Sequence, residues 1–453
     1  MSVPDRTQPP EPGPIRPFAF PRLERRQLAN GFNVIAARAG DLPLVTALLV
    51  VDAGAAADPA GKAGLANLTA LALETGTRTR SAGEIAWAFE RLGVEFEVET
   101  TWDASSFEIT VPAGRLEPAL ELFAEVVRSP AFPEHEVARL RDEQIARILQ
   151  RRKEPRALAT DMAARFIFAP DVPYARPLIG TTASVEALTR DDVDAFYRTR
   201  YLPNTSSLIL VGEIDIDEAE RLAQLYFGDW PRGTAPATDF DVVGAVRETT
   251  IYVVDRPGSV QSEIRIGDVG VERHHPDYFP LLVMNTILGG AFTSRLNLSL
   301  RERHGFTYGA RSGFAFRRRP GPFIVQVAVA TDVTARAVEE ALKEIALLRD
   351  MGATEEETVA ARDYLAGILP LELQTTEQLA ARIADIVIFD LPDTYFQDHR
   401  AKLATITADD VLRVARTHLR SDRLAIVVIG DAEQITEPLR ALGVGPVEVH
   451  RVE

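Results

Sequence analysis

The sequence predicts an α+β protein made of two homologous halves, and three observations support this fold class. The segments LTRDDVDAFYRTRYLPNTSSLILVGEID (188–215) and ITADDVLRVARTHLRSDRLAIVVIGDAE (406–433) share one pattern at a constant offset of 218 residues. Segments 105–127 and 322–348 then repeat one order of strand, turn and helix. Strands and long helices are mixed without alternating one for one. These features indicate two halves, each an open sheet covered by helices on one face.

Each element of the repeat follows from its residues. Thr189 and Thr407 have the residue type that caps a helix, and each precedes an Asp-Asp pair that suits a helix N-terminus. An apolar strand ending in Gly follows each helix. Upstream, the helices have apolar faces at a helical spacing: Leu116, Leu120, Phe123 and Val127 in the first half, Val338, Leu342, Ile345 and Leu348 in the second.

The chain divides into four predicted segments. Residues 1–22 form an extended, Pro-rich N-terminal segment, 23–232 the N-terminal domain, 233–246 a linker and 247–453 the C-terminal domain. Pro, Gly and Thr interrupt the periodic patterns between Pro231 and Val246, which places the linker there.

Composition excludes several classes of function. The chain of 453 residues has a formal net charge of −16, which disfavours nucleic acid and anionic membrane surfaces as partners. It has no cysteine, so thiolate catalysis, disulfides and Cys-based metal sites are excluded. The first residues lack the apolar core of a secretory signal, and no segment reaches the ~20 apolar residues that span a bilayer. We therefore expect a cytoplasmic protein.

Residues for independent catalysis are scarce. The seven histidines include no pair at the i, i+4 spacing that places two imidazoles on one helix face. His274 and His275, near Glu272 and Asp277, are neighbours whose side chains point different ways, which favours an exposed loop pair over a metal site. LGGAFTSRL has a Gly pair before a helix start, which favours a tight turn over an anion site.

The segment VVDAGAAADPAGKAGLANLTALALETGT (50–77) resembles the opening of the M16 (pitrilysin-like) peptidases. In that family this segment carries the zinc motif H-x-x-E-H, with a further Glu ligand downstream. Here Asn67, Ala70 and Leu71 stand at the positions of the two His and the Glu between them: Asn67 for the first His, Ala70 for the Glu and Leu71 for the second His. The downstream ligand is expected near Ile148, in an apolar stripe. The resemblance therefore implies a degenerate site without metal in this chain. Without the family, the same residues predict an amphipathic helix.

The resemblance also covers the second half, from FTSRLNLSLRERHGFTYGARSGFAF onward, and in all about Leu23 to Gly445. Family members that bind peptide carry an Arg on this helix and a Tyr seven residues later on the following strand. Arg301 and Tyr308 stand at that spacing, with Gly305 as the helix stop. The resemblance implies that both bind the substrate carbonyl and stabilise the oxyanion. Taken alone, this Arg suits a solvated helix end and this Tyr a half-buried strand position.

Some bacterial members of the family act as two chains, one with the zinc motif and one with the Arg/Tyr pair. The resemblance implies that this chain is the second type. Zinc would sit on a homologous partner with H-x-x-E-H, and the substrate would be a peptide or unfolded polypeptide pairing with a sheet edge of that partner. The family fold implied is two mostly antiparallel sheets. The lack of a long Gly-rich loop near Gly289 argues against the substrate-recruiting subunit of the mitochondrial processing peptidase.

Three alternatives stay open. In the first, the chain would be a purely structural subunit. In the second, it would be a stand-alone peptide-binding or chaperone-like homodimer. In the third, it would be an enzyme with an unrecognised site. Arg311 and the run Arg317–Arg319 are interpreted as a solvated strand end, with docking of an acidic partner as the second option. Specificity would come from the size and charge of the chamber, and a negative interior would favour basic peptides.

Overall fold

The computed structural model of the chain describes residues 19–40 and 42–451. Within these ranges the chain forms two six-stranded mixed sheets, one in each half. The strands of the first sheet are β1 (Glu24–Gln27), β2 (Asn33–Arg38), β3 (Leu44–Val51), β4 (Glu97–Thr100), β5 (Ser105–Pro112) and β6 (Ser206–Gly212). Those of the second are β7 (Thr250–Asp255), β8 (Gln261–Val269), β9 (Ala310–Phe314), β10 (Pro322–Ala330), β11 (Ala425–Gly430) and β12 (Val447–Arg451).

The two sheets have matching strand orders, β1-β2-β6-β3-β5-β4 and β12-β7-β11-β8-β10-β9. In both, a parallel pair (β2 with β6, β7 with β11) is followed by antiparallel pairs out to the far edge. The near edges differ, because β1 runs antiparallel to β2 whereas β12 runs parallel to β7. The predicted fold class, two homologous α+β domains, is confirmed.

Helices complete both halves. In the first they are α1 (Leu65–Ala72), α2 (Ala82–Leu92), α3 (Leu116–Arg128), α4 (Glu134–Lys153), α5 (Pro155–Ile167), α6 (Thr182–Glu186), α7 (Arg190–Arg200) and α8 (Ile216–Phe227). In the second they are α9 (Tyr278–Asn285), α10 (Thr334–Met351), α11 (Glu355–Ile368), α12 (Thr376–Ile388), α13 (Tyr395–Ala404), α14 (Ala408–His418) and α15 (Ala432–Arg440). Within the described ranges, no helix is long and apolar enough to cross a membrane.

The repeat read from the sequence corresponds to α7–β6 in one half and α14–β11 in the other. Both helices begin with a capping box. The hydroxyls of Thr189 and Thr407 accept from the backbone N–H of Asp192 and Asp410, and those carboxylates accept from the threonine N–H in return. The predicted apolar faces of α3 and α10 pack on their own sheets, in two separate hydrophobic cores.

The second face of each sheet is also covered, which the sequence analysis did not predict. Helix α12 of the C-terminal half packs on β3 and β6, and α5 of the N-terminal half packs on β8 and β11. The hydroxyl of buried Thr46 donates to Thr376 at the start of α12, over 2.8 Å. Each half thus supplies one helix that covers the sheet of the other half. Without this exchange, each sheet would leave an apolar face in water.

Arg317–Arg319, interpreted from the sequence as a solvated strand end, instead joins the two halves. The Arg317 guanidinium carbon lies 4.7 Å from the ring centroid of Trp102 and 4.3 Å from that of Tyr174. Arg318 pairs with Asp52, and Arg319 with Asp239. The interpretation was wrong for Arg317, whose aromatic partners lie in the other half, whereas Arg318 and Arg319 are exposed as expected although each forms an ion pair.

Among the described residues, the chain between α8 and β7 forms no helix or extended strand. Gly244 makes a single bridge to Phe168 there. Of the predicted N-terminal segment 1–22, residues 1–18 lie outside the described residues. The domain limits given above stay a prediction.

Candidate functional site

Helix α1, where the zinc motif would stand, begins at a tightly packed glycine. Gly64 has φ of +95°, and a Cβ added there would lie 2.6 Å from the carbonyl oxygen of Ile179. Only glycine suits this position. The buried carboxylate of Asp58 accepts from the backbone N–H of Gly64 (2.8 Å) and Ala66 (2.7 Å), which fixes the start of the helix. Burial raises the pKa of Asp58 to about 7, although those N–H donors oppose the shift.

Asn67 forms an amide pair with a residue of α4. Its Nδ2 donates to Oε1 of Gln144 over 2.9 Å. Gln144 is fully buried, and its own Nε2 donates to the backbone oxygens of Gly64 (3.0 Å) and Ile179 (2.9 Å). The two amides therefore satisfy each other and the surrounding backbone.

These residues do not fit a zinc ion. Ala70 is fully buried and Leu71 packs on the hydrophobic core, and neither has a ligand atom. Asn67 and Gln144 offer only neutral amide oxygens, whereas zinc takes imidazole, thiolate or carboxylate. This place in the chain lacks both the ligands and a general base.

The expectation that the downstream position falls near Ile148 was wrong by one helical turn. Ile148 lies in the hydrophobic core, and the α4 residue facing α1 is Gln144. A signal for it exists in the sequence. The buried stripe of α4 consists of Val137, Leu140, Gln144 and Ile148, so Gln144 is its one polar member.

Arg301 lies near the end of a π-helical turn, Asn297–Arg303. Its guanidinium carbon stacks 4.2 Å from the ring centroid of Phe292, and its Nε lies 3.4 Å from the carboxylate of exposed Glu302. The turn ends as predicted at Gly305, which has φ of +65° and donates its N–H to the Arg301 carbonyl. Arg301 is therefore positioned by Phe292 and Glu302, and its side chain is 32% exposed.

Tyr308 lies in the loop before β9, which begins at Ala310, and not in the strand as predicted. The strand is shorter because Thr307 and Gly309 bond to each other around Tyr308, through the Thr307 hydroxyl. The Tyr308 side chain is 98% exposed. A large aromatic side chain wholly in water, with a hydroxyl that can donate, is typical of a contact surface.

The edge of the second sheet beside this loop is closed by side chains. Asn297 accepts from the N–H of Ala310 (3.0 Å) and donates to its carbonyl oxygen (2.9 Å). Asn285 donates to the carbonyl oxygen of Ser312 over 3.1 Å. The N–H and carbonyl oxygen of Ala310 and the carbonyl oxygen of Ser312 are thus already paired, so these three groups cannot bind another strand.

The Gly pair of LGGAFTSRL packs against the same strand. A Cβ at Gly289 would lie 2.5 Å from the backbone nitrogen of Ser312, so this glycine permits close approach. The pair ends a π-helical turn, Thr286–Gly290, where a tight turn was favoured.

A second cluster joins residues distant in sequence. His275, Asp277 and His418 offer ligand atoms within 4.8 Å of one another. The Asp277 carboxylate is already engaged, by Nε2 of His418 and by the Arg413 guanidinium, each at 2.8 Å. A cation at 2.8 Å opposes binding of a metal ion there. His275 is thus half-buried beside α14, not part of an exposed pair, whereas His274 is exposed.

The fold defines a class of protein in which one α+β domain is present in two copies along the chain. Comparison with known families agrees. The family described as "Insulinase (Peptidase family M16)" matches residues 34–182, and "Peptidase M16 inactive domain" matches residues 187–365. The chain belongs to peptidase family M16.

Individual relatives are similar over nearly the whole chain. An uncharacterized zinc protease of Mycobacterium tuberculosis is 28% identical over 443 residues, 96% of this chain and 99% of the relative. A peptidase M16 inactive domain from Pseudomonas fluorescens has a TM-score of 0.85 at 27% identity, over 90% of this chain and 98% of that one. A protease from Helicobacter pylori has a TM-score of 0.84 at 18% identity, over 90% of this chain and all (100%) of that one, and shows the shared fold.

Proposed function

We propose that this chain is the metal-free subunit of a heterodimeric zinc peptidase. A homologous partner chain with the H-x-x-E-H motif would carry the zinc, and this chain would supply Arg301 and Tyr308. The observation that carries the proposal is the contrast between the two halves. In the first half, the segment that resembles the zinc motif has no His or Glu at positions 67, 70 and 71, and Asn67 forms an amide pair with Gln144. In the second, the Tyr308 side chain is 98% exposed, and Arg301 stacks on Phe292, which lines one cavity together with Tyr308.

The chemistry proposed for these two side chains is hydrogen-bond donation. A guanidinium and a phenol are both suited to bind a peptide carbonyl oxygen, and both bind it more strongly as negative charge develops on that oxygen. The stacking of Arg301 on Phe292 restricts the guanidinium before substrate binds, which lowers the entropy cost of positioning it.

The substrate proposed is a peptide or unfolded polypeptide in extended form. It would pair with a sheet edge of the partner, since main-chain pairing accepts many sequences. The bonds of Asn297 to Ala310 and of Asn285 to the Ser312 carbonyl oxygen support this assignment, because they occupy three backbone groups of the nearest edge of this chain. The names of two relatives support the proposal. The relative from Mycobacterium tuberculosis is named a zinc protease, and the one from Pseudomonas fluorescens is described as an inactive domain.

The test is hydrolysis of quenched fluorescent peptides by this chain, by a zinc-motif homologue from the same organism, and by their mixture. The proposal predicts activity in the mixture that exceeds the sum of the two chains, together with a heterodimer in analytical ultracentrifugation. A partner with the motif Glu replaced by Gln is the control, and its mixture should assemble without activity. A homologue that is fully active alone and unaffected by this chain would contradict the proposal, leaving a structural or peptide-binding protein.

A further inference from the structure

A cavity of about 700 Å³ opens beside Tyr308, on the second face of the C-terminal sheet. Its floor includes Arg311 and Gln326, and Thr160 of α5 forms part of its wall. Phe292 and Tyr308, both strongly exposed, stand at its rim. Among the described residues that line it, none is an aspartate or glutamate.

Three polar side chains form a row across the floor. Gln326 of β10 lies directly opposite Arg311 of β9 on one side and opposite Arg265 of β8 on the other. Directly opposed residues of antiparallel strands point to the same face of a sheet. The row therefore presents two guanidinium groups and one amide to the same cavity. Gly313, two residues along β9, leaves open space where a side chain would stand.

The two arginines differ in how far their donors are engaged. The Arg311 side chain is exposed and forms no hydrogen bond or ion pair with the part of the chain that the structure describes. Arg265 is only 2% exposed. Its Nη1 bonds to the Glu263 carboxylate (2.9 Å) and to the backbone oxygen of Ile264, and its Nη2 bonds to the backbone oxygen of Arg156. Its buried Nε has no hydrogen-bond partner.

This local charge is opposite to that of the whole molecule. The chain carries a formal net charge of −16, yet the lining of this cavity contains cationic and neutral groups only. This lining therefore does not favour basic peptides. A planar carboxylate is the group that guanidinium donors match best, and an amide such as Gln326 adds a further donor to it.

We propose that this cavity is a carboxylate-binding subsite, in which Arg311, with Gln326 and Arg265 beside it, binds an acidic side chain or the C-terminal carboxylate of a peptide. The inference rests on the proposed function for its peptide substrate, because Tyr308 belongs to both the cavity rim and the proposed carbonyl-binding pair. The inference adds a preference for anionic peptides, which neither the fold nor the names of the relatives indicate.

The experiment measures binding of labelled peptides to this chain alone by fluorescence anisotropy, at low and at 0.5 M salt. Three peptides of one sequence are compared: an internal Glu with an amidated C-terminus, the matching Gln with a free C-terminus, and the matching Gln with an amidated C-terminus. We expect either the Glu peptide or the peptide with a free C-terminus to bind at least ~10-fold more tightly than the amidated Gln peptide. The peptide that binds more tightly identifies whether a side chain or the C-terminus supplies the carboxylate.

Two variants test the assignment. Arg311→Gln removes the free cation, and Gln326→Glu adds an acid to the middle of the row. Both should reduce binding of the anionic peptide to the level of the neutral one and leave the neutral peptide unchanged. Arg303→Gln is the matched control, since Arg303 is exposed on a neighbouring turn and does not line the cavity.

The outcomes separate this inference from the proposed function. Equal binding of all three peptides, or no binding of any, overturns the inference, whatever activity the mixture with a zinc-motif partner shows. An anionic preference that survives both variants also overturns it. A preference lost in both variants, with no hydrolysis in the mixture, supports the subsite and contradicts the divided peptidase.

Discussion

Nδ2 of Asn67 on α1 lies 2.9 Å from Oε1 of Gln144 on α4, and this amide pair joins the two helices at the segment that resembles the zinc motif of M16 peptidases. The pair keeps the helices together with neutral groups. Gln144 is fully buried and bonds to two further backbone oxygens, so the packing of α1 on α4 does not depend on an ion.

Restoring the metal ligands should restore metal binding. The variant Asn67→His, Ala70→Glu, Leu71→His and Gln144→Glu supplies two imidazoles, a carboxylate ligand and a general base. We expect it to retain one equivalent of zinc through dialysis, measured by elemental analysis. Asn67→His alone is the control and should retain none at this place. Zinc retained by the wild type and lost in Asn67→Ala would contradict the account of the degenerate site.

Asn297 should stabilise the closed edge of β9. Asn297→Ala leaves the N–H and carbonyl oxygen of Ala310 without partners beside a buried side chain, so we expect a loss of about 1–3 kcal/mol in the free energy of unfolding. Urea denaturation measures it. Asn297→Asp keeps the acceptor for the Ala310 N–H and should cost less than Ala. Equal stability of wild type and Asn297→Ala would show that the edge is not closed by this side chain.

Arg317 should matter more for stability than the exposed Arg319 beside it. Burial lowers the pKa of Arg317 to about 10, so it stays cationic at neutral pH between Trp102 and Tyr174. Arg317→Ala should cost about 2 kcal/mol, the size of a desolvated cation–π contact. Arg319→Ala removes an exposed ion pair and should cost about 0–1 kcal/mol. Thermal unfolding compares them, and equal costs would contradict the role given to Arg317.

The protein should become less stable between about pH 5 and pH 8 through Glu108. Burial raises the pKa of this carboxyl to about 7, with further contributions from Glu97, Glu377 and Glu99. Its pKa in the unfolded chain is about 4.3, so in this window the folded state binds more protons and stability falls as pH rises. Glu108→Gln should flatten that dependence in urea titrations at several pH values. An unchanged slope would show that Glu108 does not titrate in this range.

Local patterns predicted the fold well because they depend on neighbours in sequence. The caps at Thr189 and Thr407, and the apolar spacing of α3 and α10, identified two copies of one unit. The exchange of α5 and α12 between the sheets was not predictable in this way. It depends on which apolar face each sheet leaves uncovered, a property of the assembled halves.

The site could be predicted only where it depends on residues that are close in sequence. The absence of ligands at Ala70 and Leu71 is visible in the sequence, and so is the spacing of Arg301 and Tyr308. The pairing of Asn67 with Gln144 and the row formed by Arg311, Gln326 and Arg265 require the register of distant strands and helices. Arg317 was misassigned because its aromatic partners lie in the other half.

The measurement that tests the central claim most directly is kcat/KM of the assembled heterodimer for one peptide, with wild type, Arg301→Ala and Tyr308→Phe. Removing a donor to a developing oxyanion typically costs about 10²–10³-fold, so we predict losses of that order with the heterodimer intact by ultracentrifugation. Arg303→Ala, on the same turn and exposed, is the control and should retain activity. Full activity of both Arg301→Ala and Tyr308→Phe in an assembled heterodimer would contradict the divided site.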